Sequence, residues 1–177
     1  EVGLPNHFHD KDQVTFVIAG QRRFLMGDAQ ITVVAGRGIC IPAGVAHRSL
    51  PEPCGVLCMN LYLKAGEYDA NRLLDRLAQA WPVRGAAWDA MVEQARSRHR
   101  DLRPSLAAAQ PLMSRSADSV RAAASEFAMS REGYSRAFRR RYGMPPQAFG
   151  IVSRLNRARG LLRSGMPPAE VAAIAGF

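Results

Sequence analysis

Cysteine is scarce in this chain: three thiols, Cys40, Cys54 and Cys58, in 177 residues. An odd handful argues against a disulfide framework, and a chain of this length can bury its own core without one. That points to a reducing compartment, with the thiols expected to be inert and buried. Long apolar runs are missing too. Nothing approaches the roughly 18 to 20 residues a membrane helix needs, and the chain opens at Glu1 without the basic start and apolar core of a signal peptide. The expectation is a cytoplasmic protein with no membrane partner. Solenoid-length repeats, low-complexity stretches, a phosphate-cradling glycine loop and a nucleophile triad are likewise not found. What is present, 47% hydrophobic and 22% charged residues, is the composition of a core-forming domain or two small ones.

Acidic residues are also few, 15 against 24 Lys and Arg, for a net charge of +9. The imbalance is local: residues 1–100 hold 12 basic against 10 acidic side chains, whereas residues 101–177 hold 12 arginines against 5 acids. A shorter segment carrying most of the charge is the footprint of a module that meets a polyanion, and nucleic acid is the expected partner.

Up to Leu63 the chain reads as short strands at Gln13–Ala19, Arg22–Met26, Gln30–Val34, Gly38–Ile41 and Val56–Leu63, punctuated by Gly20, Gly27-Asp28, Gly36-Arg37-Gly38 and Pro42-Ala43-Gly44. From Glu67 the apolar spacing becomes helical, with Leu73, Leu74, Leu77 and Trp81 on one face and Trp88, Met91, Val92 and Ala95 on another. After Pro104 everything reads as helix. The fold class expected is α+β, divided into a strand-rich unit over residues 1–66, a helical linker over 67–100 and an all-α unit over 101–177. Leu73, Leu74, Leu77 and Trp81 fit either a homodimer seam or packing on the strands.

His7 and His9 share one face of an extended strand, and Gln13 reaches the same face if the strand stays regular. Gly36, Pro42, Gly44 and His47 form Gly-x5-Pro-x-Gly-x2-His, a turn sequence that presents a further imidazole. Both spacings resemble the two motifs of the cupins: His7-Phe8-His9, Gln13 and Gly20 for the first, and the Gly36-to-His47 stretch for the second. The resemblance covers about 55 residues. It implies a double-stranded β-barrel with these side chains inward and, in a metal-binding member, a ligand set of His7, His9, Gln13 and His47. Gln13 replaces the family's Glu, and Pro51 stands where the second motif often has Asn. Losing the carboxylate weakens the hold on a hard cation, while three neutral imidazoles suit zinc, nickel, copper or iron. Three readings stay open: a divalent transition metal, direct contact to an organic effector, or structural hydrogen bonding. Cys54 and Cys58 are read as core thiols, and Phe16, Phe24, Met26 and Met59 as barrel core or pocket lining.

In the basic half, Val120, Ala123, Ala124 and Phe127 give one helix an apolar face, Ala128-Met129 a turn, and Ser130 the N-cap of a second helix. Tyr134, Ala137 and Phe138 fall inward on that second helix. Arg131, Glu132, Ser135, Arg136, Arg139 and Arg140 face out, a helix-turn-helix pattern with an outer face suited to the DNA major groove. Gly143 closes this helix. A long one follows, with Leu155, Ala158, Leu161 and Leu162 as its expected core side and Arg154, Arg157 and Arg159 as its wet side. Pro167-Pro168 then open a last short helix ending at Gly176-Phe177.

The stretch Ser130–Gly143, the Pro145-Pro146 pair and the closing Ile174-Ala175-Gly176-Phe177 resemble the DNA-binding domain of the AraC/XylS family of transcriptional regulators, in which a cupin sensor commonly precedes this domain. The likeness spans about the last 75 residues. It implies base contacts from Glu132, Ser135 and Arg136, phosphate contacts from Arg131, Arg139 or Arg140, and a small-molecule effector in the barrel at His7, His9, Gln13 and His47. The family's second recognition helix follows the Gly-Phe pair, where this sequence stops, so the chain is expected to be a fragment, with one complete half-site reader. The first motif begins only six residues in, so a further N-terminal segment over the pocket is expected as well. The rival reading from another class is a metal-dependent cupin enzyme, a dioxygenase or isomerase, with a helical appendage. It uses the same histidines and leaves the arginine face unexplained.

Overall fold

A computed structural model describes residues 3–81 and 118–177. The chain divides into two compact units, residues 1–105 and 106–177. The second helical face read at Trp88 to Ala95 lies outside the described residues.

The N-terminal unit is built around one long strand, β1 (Asp12–Met26), with β2 (Ala29–Val34), β3 (Gly38–Ile41), β4 (Arg48–Ser49) and β5 (Val56–Leu63), all paired antiparallel to it. The first half of β1 pairs with β3 and β5, setting Gln13 opposite Ile41 and Tyr62, and Thr15 opposite Ile39 and Asn60. Its second half pairs with β2 and β4. Between them the ladder slips at Val17/Ala19, and this bulge lets a single strand serve two sheets. Gly20, expected to end a strand, is thus a corner inside β1. The true turn is Gly27-Asp28, two residues long with Gly27 at φ 58°, as a tight hairpin requires.

Alternation along β1 sorts its side chains. Val14 and Phe16 point to one side, where they form a core with Leu63 and with Leu73 and Leu77 of α1 (Ala70–Ala80). Val17 points to the other, joining Phe24, Val33 and Ile41 in a second core. Asp69 caps α1 by accepting from the Arg72 N–H at 3.0 Å, and Trp81 closes it by donating its backbone N–H to the Leu77 carbonyl at 3.0 Å and ties it to β1 by donating its indole N–H to the Ile18 carbonyl at 3.2 Å. Gly36, at φ 78°, lies beneath the Trp81 ring, where any Cβ would fall 2.9 Å from it. Leu73 and Leu77 have no accessible surface and pack on the sheet, while Leu74 and Trp81 of the same face are half-buried. Cys54 departs from expectation: it lies exposed in the turn before β5, while Cys40 and Cys58 are half-buried.

The C-terminal unit contains α2 (Asp118–Glu126), α3 (Arg131–Tyr142), α4 (Pro146–Arg163) and α5 (Pro168–Ala175). Val120, Ala123 and Ala124 of α2 are buried with Tyr134 and Phe138 of α3, and Phe138 and Tyr142 meet the Phe149 ring of α4 with centroids 5.4 and 5.5 Å apart. Phe127 differs from expectation. It sits in the turn, 57% exposed, with its ring stacked 6.1 Å from that of Tyr134. The face of α4 differs more. Its buried residues are Pro146, Phe149 and Asn156, whereas Leu155 and Leu162 are exposed. Arg154, expected on the wet side, is half-buried, donates to the Gly176 carbonyl at 3.0 Å and lies over the Phe177 ring. Among the described residues no helix is long and apolar enough to cross a membrane.

Candidate functional site: a histidine cluster and an arginine-faced helix

His7, His9 and His47 come from two segments that the backbone ties together. His7 and His47 exchange both backbone hydrogen bonds, at 2.9 and 2.8 Å, and the Gly44 N–H donates to the His9 carbonyl at 2.8 Å. The turn carrying His47 is held further by Asp12, whose carboxylate accepts from the Ala43 N–H at 2.8 Å, and by Gly44 at φ 76°, a left-handed position that suits glycine. One ring nitrogen from each histidine then lies within 4.8 Å of the others. The rings of His7 and His47 are 4.5 Å apart, and Phe24 packs edge-on behind His47 at 6.4 Å.

Gln13 joins them from β1. Its Oε1 is 3.1 Å from His47 Nε2, while His47 Nδ1 lies 2.9 Å from the Val45 carbonyl. A neutral imidazole carries one N–H and therefore satisfies one of these two acceptors. Burial, and to a lesser degree the nearby His7, push the His47 pKa down and oppose the doubly protonated form, against a smaller upward pull from the Val45 hydrogen bond. With the proton on Nδ1, the Nε2 lone pair and the Gln13 carbonyl oxygen converge. The Nδ1 atom of His7 is likewise 2.8 Å from a backbone carbonyl, that of Pro5. Backbone carbonyls at Nδ1 are the usual way to orient Nε2 as a metal ligand. Three imidazoles and an amide oxygen can hold a divalent transition metal, so this donor set fits the group.

Three further side chains reach this site that the sequence reading missed. Thr15, fully buried, accepts from Gln13 Nε2 at 3.0 Å and donates to Asn60 Oδ1 at 2.6 Å, and the exposed Tyr62 meets the His9 ring edge to face at 4.8 Å. Thr15 could have been found from the two-residue strand period after Gln13. Asn60 and Tyr62 needed the β1–β5 register. Cys54 and Cys58 take no part in the cluster.

On the other unit, Ser130 caps α3 by accepting from the Gly133 N–H at 3.0 Å, and Ala128 takes φ 51° in the turn before it. That turn and cap set the direction of α3 against α2. Arg131, Glu132, Arg136, Arg139, Arg140 and Arg141 are exposed and Ser135 is half-buried. Arg131, Glu132 and Ser135 line a cleft with Pro145, Pro146 and Gln147 at the start of α4. Gly143, at φ 73°, ends α3, its N–H donating to the Arg139 carbonyl.

Residues 123–177 match the family described as a helix-turn-helix domain. The chain carries a helix-turn-helix domain in its C-terminal unit. It is an α+β protein whose N-terminal unit holds the antiparallel sheet and whose C-terminal unit holds the helix-turn-helix domain. Solved structures similar to that sheet include a cupin-2 domain containing protein from Shewanella frigidimarina, 30% identical over 34% of this chain and 58% of that one, with a TM-score of 0.31. Two others are protein NMB1881 from Neisseria meningitidis, 26% identical over 34% and 63% with a TM-score of 0.32, and KdgF from Halomonas sp., 17% identical over 36% and 58% with a TM-score of 0.33. The chain spans 54–63% of the length of the solved structures named here and of a conserved protein from Streptococcus pyogenes, 20% identical with a TM-score of 0.32. No curated protein matches it.

Proposed function

We propose that this chain is a ligand-responsive transcriptional regulator of the AraC type with a cupin-type sensor: a divalent transition metal held by His7, His9, Gln13 and His47, alone or with a small-molecule effector, changes how the helix-turn-helix unit binds double-stranded DNA. The single observation behind the DNA half is the outward arginine face of α3, set on a capped second helix. Arg can bond both acceptors of a guanine edge, and Ser135 and Glu132 lie where they can meet neighbouring bases or phosphates. Arg131, Arg139 and Arg140 serve as phosphate contacts, which position the helix without reading sequence. The observation behind the ligand half is the convergence of three imidazoles and one amide oxygen.

In this reading residues 1–66 are the sensor, with α1 fastened to its sheet, and residues 101–177 the reader. Zinc, nickel, copper or iron suits the donors. The metal supplies a charge and a coordination point for an effector, and the chain's own residues bind and orient it. Pairing of two copies uses a face other than Leu73 and Leu77, and the protein works in the cytoplasm as a regulator, not an enzyme.

The test is selection of duplex sequences from a random library, followed by titration of variants. Arg136→Ala is expected to lose about 1–3 kcal/mol on the selected site and little on random DNA. Arg139→Ala should weaken both and flatten the salt dependence. Equal losses on selected and random DNA for Arg136→Ala would remove it as a base reader, and salt-insensitive retention on heparin would favour the cupin enzyme instead.

A further inference from the structure

The hydrogen bonds beside the histidine cluster run in one direction. The Thr15 hydroxyl gives its proton to Asn60 Oδ1 at 2.6 Å, so towards Gln13 it can only accept, and Gln13 turns its NH2 group to Thr15 at 3.0 Å, with Asn60 Oδ1 as a second, longer acceptor at 3.5 Å. Asn60 is oriented in turn by its own amide nitrogen, which faces Cys58 Sγ at 3.9 Å. With its nitrogen so engaged, the Gln13 amide has its oxygen on the opposite side, 3.1 Å from His47 Nε2.

An amide, unlike a carboxylate, has one end that can ligate a cation and one that cannot. At position 13 the choice of end is therefore a functional matter, and a neighbour has to fix it. We propose that Thr15 and Asn60 are positioning residues that hold the Gln13 amide with its carbonyl oxygen towards the three histidines, so that a neutral side chain supplies the oxygen ligand of a divalent metal. This rests on the reading of the cluster as a metal site. Thr15 has no accessible surface and lies on β1 two residues from Gln13, and Asn60 sits directly across the ladder on β5. Both are placed by backbone pairing and need no metal to reach their positions.

The test is Co(II) binding to the full chain, read as affinity by competition with a chromophoric chelator and as the ligand-field spectrum. Thr15→Val removes the hydroxyl at nearly constant size and is expected to weaken Co(II) by about 10- to 100-fold, as loss of a residue that orients a ligand does, and to shift the ligand-field bands. In a Gln13→Glu background the same substitution should cost less than about 3-fold, because either carboxylate oxygen can ligate. Asn60→Ala, at an exposed position, frees the Thr15 proton to donate to the Gln13 oxygen and should reproduce the loss. It keeps the test decisive if Thr15→Val does not fold. Equal losses in the wild-type and Gln13→Glu backgrounds, or unchanged affinity and spectrum in Asn60→Ala, would overturn the positioning role while leaving the metal site standing. A wild-type chain that takes up no Co(II) would overturn the metal reading itself.

Discussion

Glu52 is the one buried acid among the described residues, and its partner is close: the Arg23 guanidinium lies 3.2 Å away and the Arg23 backbone N–H donates to it at 2.8 Å. Burial alone would raise its pKa. The Arg23 hydrogen bonds and charge outweigh this and hold it below the ordinary value of 4.5. A carboxylate with a depressed folded pKa stabilises the fold fully above its unfolded value, and that contribution is lost as pH falls through the folded one. Glu52→Gln should therefore cost about 1–2 kcal/mol at pH 7, a modest figure because Arg23 is 30% exposed and can rehydrate. Denaturant titrations at pH 7 and at about pH 3 check this: the gap between variant and wild type should close in acid, and a constant gap would contradict the ion-pair account. Nothing in the sequence marks this pair, because Arg23 and Glu52 read as ordinary surface charges until the β1–β4 pairing brings their segments together.

Helix α3 is the most legible element, since its N-cap, buried aromatic pair and arginine face all follow from one period and one capping residue. Ser130→Ala should lose about 1 kcal/mol of stability by thermal unfolding, and Ser130→Asp should restore most of it. Full stability in the alanine variant would mean that the cap does not set the helix start. Helix α4 misleads for a physical reason. Ile151, Leu155, Ala158 and Leu162 share one helical face, while Phe149, Ser153 and Asn156 share another, and the aromatic contacts of Phe149 with Phe138 and Tyr142 decide which face the described unit buries. Periodicity finds two stripes and cannot choose between them without the partner helix. Strand β1 reads as two strands for a similar reason: Gly20 at φ 76° looks like a turn in sequence, but it is the corner of one strand shared by two sheets.

Across the whole molecule, the arginine-rich C-terminal unit and the two histidine motifs of the N-terminal unit are legible because both signals are local in sequence. What joins Thr15, Asn60 and Tyr62 to the histidines is strand register, which no short spacing encodes. The account makes one claim that spans both units: occupancy of the histidine cluster changes DNA binding. The most direct measurement is fluorescence anisotropy of the full chain on a selected duplex, at fixed salt, with Zn(II) and then with a chelator, for wild type and His47→Ala. The account predicts an affinity change of about 5-fold or more between the two conditions in wild type, within the usual range of allosteric coupling, and none in His47→Ala. The same affinity with and without metal in the wild-type chain would contradict it.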